Sequence, residues 1–260
     1  MTRVVLFSDV DGTLLDAAGK YAMGPLALEP YLPALQIVLA SSRTVGELVP
    51  VQRDLGITGP VVAENGAVVA CPAVSGGNLI GEPATYDGER WIVVRLGVPA
   101  DGLRQQLIDG AQRTNVSMVE QNTVSPGLDR RCSVLFRPAP GAPVTSLTPL
   151  VADLRAQGLT VASGGSWQAL TGNADKGSGA AALLHHLGGE TPPTVAAVGD
   201  EDNDVPLLRA VGRGFVIRRP DGTWHPELAA LPGVTRLGAR GIRGWRTVVR
   251  VLGREATTPQ

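Results

Sequence analysis

The chain predicts an α/β fold: a doubly wound parallel sheet with a second α/β domain inserted into it. Three observations carry this. Short apolar runs at 4–7, 37–40, 61–63 and 195–198 have the composition of strands buried on both faces. Helical stretches alternate with them. Clusters of polar residues stand at the C-terminal ends of these runs, where open α/β sheets hold ligands.

Each element follows in order. Residues 4–7 form the first strand. Residues 24–35 carry Pro25, Pro30 and Pro33, so a helix there is short or broken. Residues 37–40 are the next strand, and 44–55 a helix that Pro50 can kink. Runs 61–63 and 67–70 flank a turn at Glu64-Asn65-Gly66. Ser75-Gly76-Gly77-Asn78 has linker composition. Beyond it come a strand at 91–96, a helix capped by Asp101 and running towards Asn115, a strand at 131–137 and a helix at 147–157. These two strand–helix units are read as an inserted domain at 79–172, between core segments 1–78 and 173–260. Then follow an alanine-rich helix at 176–187, a strand at 195–198, a helix at 205–211, a strand at 214–217 and a helix at 245–252. Residues 255–260 read as a frayed end.

Composition excludes several classes. With 260 residues and 43% hydrophobic content the chain can bury a sizeable core. Its formal net charge of -1 argues against a nucleic-acid partner. No apolar stretch approaches the ~18 residues of a membrane span, and no signal-peptide pattern precedes the first strand. Cys71 and Cys132 are the only cysteines, which suggests a reducing compartment, the cytoplasm. A monomer or homodimer is expected.

The most informative motif is Asp9-Val10-Asp11-Gly12-Thr13. Two carboxylates two residues apart lie on one side of an extended backbone, and like charges at the mouth of a buried strand repel. A divalent cation and a phosphate would suit them. Further clusters are Ser41-Ser42-Arg43-Thr44, Glu64-Asn65-Gly66 and Gly199-Asp200-Glu201-Asp202-Asn203-Asp204, and Lys176 opens a helix. In a parallel sheet these strand ends share one rim. Asp200, with Asp204 about a turn beyond, offers oxygen ligands suited to Mg2+, or simply the acids that a helix N-terminus favours. Ser41 and the following amides could hold phosphate oxygens, or form an ordinary cap. Arg43 could neutralise an anionic substrate. Lys176 is a compact positive charge or a solvated surface lysine. His185 and His186 are adjacent on a helix and cannot chelate together. The cysteines lack metal-ligand spacing, and no nucleophile-elbow or Walker-type loop is present.

In order, F-S-D-V-D-G-T-L-L-D, A-S-S-R-T, A-E-N-G-A, D-K-G and G-D-E-D-N-D resemble the motifs of the haloacid dehalogenase superfamily of phosphotransferases. The chain is similar to the subgroup with a large α/β cap between the second and third motifs. Within it, S-S-R-T, E-N-G-A, G-G-S-W-Q-A-L-T-G-N-A-D-K-G and the late G-I-R-G-W resemble mannosyl-3-phosphoglycerate phosphatases. The resemblance implies that Asp9 is the nucleophile. Asp11 would protonate the leaving oxygen and then activate water. Mg2+ would be held by Asp9, the Asp11 carbonyl and Asp200, with Asp204 and Asn203 in support. Ser41, with Ser42 beside it, and Lys176 would bind the phosphoryl oxygens, and Arg43 and Asn65 would line the entrance. Arg130 or Arg131 would meet a substrate carboxylate, although the acid that follows the cap arginine in that subgroup is absent from Leu128-Asp129-Arg130-Arg131-Cys132-Ser133-Val134. The implied activity is Mg2+-dependent hydrolysis of a small phosphorylated sugar such as mannosyl-3-phosphoglycerate. The alternatives are a general phosphosugar phosphatase of the sucrose-phosphate type, a phosphohexomutase, or a phosphosugar-binding regulator with a relict site.

Overall fold

The computed structural model describes residues 4–15, 34–74, 80–121, 130–164, 167–187 and 194–257. Most of the proline-rich segment expected as a broken helix, and the whole linker-like 75–78, lie outside them. Its strands form two sheets. The first contains β1 (Val4–Ser8), β2 (Leu35–Ala40), β3 (Val61–Ala63), β4 (Val68–Pro72), β5 (Glu82–Tyr86), β6 (Glu89–Arg95), β11 (Thr194–Gly199), β12 (Arg213–Arg218) and β13 (Val234–Arg240), in the order β13-β12-β11-β1-β2-β3-β4-β6-β5. From β13 to β3 all pairings are parallel; β4, β6 and β5 are antiparallel. The second is an antiparallel sheet of β7 (Met118–Glu120), β8 (Val134–Pro138), β9 (Thr160–Gly164) and β10 (Trp167–Gly172), in the order β7-β8-β10-β9.

Strand β1 shows why the large sheet is covered on both faces. Its side chains alternate between two apolar clusters. Val4 and Leu6 join one with Val45, Leu48, Trp245, Val248 and Leu252, from α1 (Val45–Leu55) and α7 (Gly241–Thr257). Val5 and Phe7 join the other with Ala180, Leu183, Leu207 and Leu208, from α4 (Lys176–Leu187) and α5 (Val205–Ala210). Period-two alternation on a strand therefore buries it between two helical layers. The four-stranded sheet has its own core: Leu103 and Leu107 of α2 (Ala100–Thr114) and Leu150 and Leu154 of α3 (Thr148–Ala156) cover Val134, Phe136, Val161 and Leu170. A short helix, α6 (Pro226–Ala230), precedes β13.

Several expectations are corrected. Helix α2 is preceded by Pro99 with no side-chain cap; Asp101 lies inside it and pairs with Arg104 at 2.8 Å. The C-terminal end is not frayed through Glu255, because α7 continues to Thr257 and Glu255 accepts from Arg213 at 3.0 Å. Strand β6, expected inside the inserted domain, pairs with β4 of the large sheet, as does β5 with β6. The change of sheet thus falls between Arg95 and Ala100, some way past residue 78. Strands β5, β7, β9, β10 and β13 and helix α6 were not expected. Helix α1, expected at 44–55, is present at Val45–Leu55; it starts with a capping box of Thr44 and Glu47 and ends at Gly56 in the left-handed region.

The turn at 64–66 is pressed against α4. Gly66 has φ +93°, and a Cβ there would lie 1.8 Å from the Asp175 carbonyl oxygen. Gly66→Ala is expected to destabilise the protein by more than about 2 kcal/mol, through strain and collision together. Gly88→Ala is the control: φ is +80°, but no atom lies within 4 Å of its Cβ position, so only backbone strain of about 1 kcal/mol applies. Denaturant unfolding of both variants checks the difference.

Candidate active site

The site is assembled where β1, β2, β3 and β11 end. Asp9 follows β1 directly, and its amide donates to the Val198 carbonyl at 3.0 Å, so the ends of β1 and β11 are joined. The strand end is propped from behind. Trp245 Nε1 donates to Ser8 Oγ at 2.8 Å, and Ser8 Oγ donates to the Asp9 carbonyl at 2.8 Å. The amides of Leu14 and Leu15 both donate to the Val10 carbonyl, turning the chain after the acidic pair. Gly12 is required there: its φ is +84°, and a Cβ would meet Asp200 Oδ2 at 2.4 Å. Thr13 Oγ1 donates to Asp200 Oδ1 at 2.7 Å, which fixes that carboxylate beside Asp9.

Lys176, the first residue of α4, is not a surface lysine. Its side chain is 0% exposed, and Nζ donates to Asp9 Oδ1 at 2.6 Å and to Asp204 Oδ1 at 2.7 Å. The other Asp204 oxygen accepts from the amides of Asp200 and Glu201 at 3.0 and 3.2 Å. Asp204 therefore orients two neighbours, the lysine and the end of β11.

Three buried carboxylates and one ammonium leave the site short of positive charge. The Asp9 carboxyl is pushed up to about 7, first by burial and then by the charge of Asp204, with Lys176 pulling the other way. Asp200 rises further, to about 9, through burial and then the charges of Asp9 and Asp204. Burial works against the charge of Lys176, but Asp204 and Asp9 outweigh it and drive its pKa upward.

On the other side, Ser41 sits buried at the end of β2, its amide donating to the Val62 carbonyl at 2.9 Å and its Oγ accepting from the Arg43 amide at 3.3 Å. Arg43 does not stand free at the entrance. Its guanidinium grips Asp11 through Nε at 2.9 Å and Nη2 at 2.6 Å, while Asp11 remains 48% exposed. Asn65 holds a left-handed φ of 54° and accepts from Asn203 Nδ2 at 3.2 Å. The amides of Glu64 and Asn65 donate to the carbonyls of Arg43 and Ser41, zipping the two loops together.

Asp9, Asp11, Ser41, Arg43, Asn65, Lys176, Asp200, Asn203 and Asp204 thus share one rim. Arg130 approaches it from the second sheet: Nη1 donates to the Ser42 carbonyl at 2.9 Å and to Ser133 Oγ at 3.1 Å. Arg131 turns outward to Glu82 at 3.1 Å. A cavity of about 240 Å³ opens between the two sheets, with Asn65, Lys176 and Asn203 on one wall and Arg155, Thr160 and Ala162 on the other. The sequence motifs contain Thr13 and Glu64 but give neither a role, and Trp245 is not picked out as a site residue; the Glu64 carboxylate is buried and bonded to the segment that leads into β8. The available signal was an acid placed between two apolar runs, which cannot be buried without partners.

A family model described as haloacid dehalogenase-like hydrolase matches residues 6–82 and 146–220, more than half of the chain. A glucosyl-3-phosphoglycerate/mannosyl-3-phosphoglycerate phosphatase of Methanococcoides burtonii is 25% identical over 270 residues, covering 95% of this chain and 96% of that protein. Among solved structures, a Thermoplasma acidophilum protein superposes with a TM-score of 0.70 at 18% identity, covering 99% of this chain and 100% of that one. The sucrose-phosphatase of Synechocystis, solved with sucrose and phosphate, gives a TM-score of 0.63 at 19% identity, covering 97% and 98%. Both likenesses carry the fold. Asp9, Ser41, Asn65, Lys176 and Asp200 all fall within the matched segments, and the chain belongs to the haloacid dehalogenase-like hydrolase family.

Proposed function

We propose that the protein is a Mg2+-dependent phosphomonoester hydrolase that works through an aspartyl-phosphate on Asp9 and takes a small phosphorylated sugar, most specifically a glycosyl-3-phosphoglycerate. One observation carries the chemistry: among the described residues, a fully buried ammonium holds the Asp9 side chain through Oδ1 alone. Its second oxygen is available to attack phosphorus. The likeness to the glucosyl-3-phosphoglycerate/mannosyl-3-phosphoglycerate phosphatase of Methanococcoides burtonii supports the substrate.

The steps balance on this chain's own residues. Asp9 forms a bond to phosphorus as the bond from phosphorus to the ester oxygen (the glycerate 3-oxygen in a glycosyl-3-phosphoglycerate) breaks, and Asp11 gives that oxygen a proton. The Asp11 carboxylate then takes a proton from water, which attacks phosphorus, releases phosphate and restores Asp9. Ser41 and Lys176 bind the phosphoryl oxygens. Arg43 must yield Asp11 before this exchange, and an arriving phosphate competes for the guanidinium. The sugar would occupy the cavity between the sheets, with the second sheet and its helices α2 and α3 acting as a cap that covers it.

The donor set fits a divalent cation. Asp9, Asp200 and Asp204 each offer a carboxylate oxygen within 4.8 Å of the others, all buried, and oxygen donors suit Mg2+. Asp9 and Asp200 would hold it, with Asp204 fixing their arrangement. Bound there, Mg2+ would offset the repulsion between an anionic carboxylate and an anionic phosphate. No described helix is long and apolar enough to cross a membrane. Cys71 and Cys132 are buried free thiols, which supports action in a reducing compartment such as the cytoplasm.

Asp9→Asn is expected to lower turnover of p-nitrophenyl phosphate with Mg2+ below about one part in 10⁴ of wild type, the scale of losing a covalent nucleophile. Unchanged turnover refutes the assignment. In a panel with glucosyl- and mannosyl-3-phosphoglycerate, sucrose phosphate and hexose phosphates, inorganic phosphate is expected, fastest from the glycosyl-phosphoglycerates. Isomerised sugar phosphate would mark a mutase.

The raised carboxyls also set a pH dependence for the metal-free protein. Asp9 and Asp200 hold protons in the folded state that the unfolded chain releases near the ordinary value of 3.8. Stability from these groups is therefore full below that value and is lost as pH rises through about 7 and about 9. With EDTA, the melting temperature is expected to fall steadily from pH 5 to pH 9 (buffer range chosen as roughly spanning the two titrations). Mg2+ should flatten that slope, and a flat profile in EDTA contradicts this reading of the site.

A further inference from the structure

We propose that Glu64 is a positioning residue: its carboxylate clasps the segment leading into β8 onto the phosphate-binding loops, and so sets how the second sheet meets the substrate. The first support is conformational. Glu64 is 1% exposed and has φ 51°, a left-handed backbone that ordinary side chains avoid. The turn could place a glycine there at less cost. The second support is where the carboxylate goes. Oε1 accepts from the Arg131 amide at 2.9 Å, and Oε2 accepts from the Arg131 amide at 3.2 Å, the Cys132 amide at 3.0 Å and Ser133 Oγ at 2.6 Å. A buried carboxylate satisfied by backbone amides is firmly held, and its removal leaves those amides without partners.

The clasp continues as a closed circuit. Ser133 Oγ, while donating to Glu64, accepts from Arg130 Nη1, which also donates to the Ser42 carbonyl. The core therefore reaches out through Glu64 and is reached back through Arg130. Both ends land behind functional residues, since Glu64 and Asn65 are already joined by backbone bonds to Arg43 and Ser41. The chain passes close by where it leaves the large sheet: the amides of Leu96 and Gly97 both donate to the Ala67 carbonyl, and a Cβ on Gly97 would lie 2.8 Å from that of Ala67 and 3.1 Å from the Thr171 carbonyl. Glu64 adds a fixed anchor to this crossing. Arg130 acts in this circuit as a strut between Ser42 and Ser133.

The assignment rests on the phosphatase reading for its substrates, but not for its second readout. Two variants of the full-length protein separate it from a merely structural role. Glu64→Gln keeps the volume but turns an amide donor towards donors. Ser133→Ala cuts the link to Arg130. Kinetics use p-nitrophenyl phosphate, which needs only the rim, and mannosyl-3-phosphoglycerate, which must also meet the second sheet. Each variant is expected to raise KM for the sugar substrate roughly tenfold, the worth of one hydrogen bond to a charged group. Turnover of the aryl phosphate should stay within about threefold of wild type. Hydrogen exchange at the amides of Arg131 and Cys132 should quicken about tenfold in Glu64→Gln. Equal losses on both substrates, or no change on either, overturn the proposal, as do amides that stay fully protected. Should wild-type protein cleave the aryl phosphate but no phosphoglycerate, the substrate reading fails, and the exchange measurement alone decides the clasp.

Discussion

The ammonium of Lys176 lies out of contact with water, between Asp9 and Asp204 at 2.6 and 2.7 Å. A buried ammonium alone costs several kcal/mol, and so does each carboxylate. Together they are tolerable only in one arrangement, and the fold supplies it. Helix α4 begins at this lysine and is wedged in place: the Gly66 Cα faces the position where a Cβ on Gly179 would lie, at 2.7 Å, and a Cβ on Gly177 would lie 2.5 Å from the Pro206 carbonyl. The ends of β1, β3 and β11 are thereby drawn around a single charge. That charge does not balance three acids, and burial, together with this excess of negative charge, raises Asp200. The same deficit of positive charge is what the proposed cation would offset.

Much of this was legible in the sequence because it is local. Asp9 and Asp11 stand two apart after an apolar run; Ser41, Asn65, Lys176 and Asp200 each follow a buried strand or open a helix. Topology then forces such residues onto one rim, whatever their separation along the chain. Helix α4 was readable from its first residue, since the alanine-rich stretch expected to begin at Lys176 is helical through Leu187, the last residue described there. What stayed hidden depends on partners distant in sequence. Nothing near Glu64 shows that its carboxylate will meet amides 67 and 68 residues away. Strand β7 has three residues, too few for a periodic pattern, and β13 alternates with exposed polar side chains at the sheet edge. Asp101 looked like a cap because its side chain suits one. Pro99 took the position instead, and the aspartate was left to pair with Arg104.

The rim and the second sheet are thus built on different parts of the chain. The rim is made by the ends of parallel strands, fixed from behind by Trp245 and from the side by Thr13 through buried hydrogen bonds. The second sheet has an apolar core of its own and meets the rim at points that include Glu64 to the segment before β8, Arg130 to Ser42, and the walls of the cavity. A rigid reacting centre with a separately folded, locally anchored cover lets one set of reacting groups serve different leaving groups.

The most direct test of the account is to trap the covalent intermediate. Protein turning over p-nitrophenyl phosphate with Mg2+ is quenched with borohydride, which reduces an acyl phosphate to an alcohol, and the peptide holding residues 4–15 is sequenced by mass spectrometry. The account predicts homoserine at position 9, dependent on substrate, with Asp11, Asp200 and Asp204 unmodified. An unmodified Asp9 under conditions of active turnover, or homoserine at any other position, would contradict it.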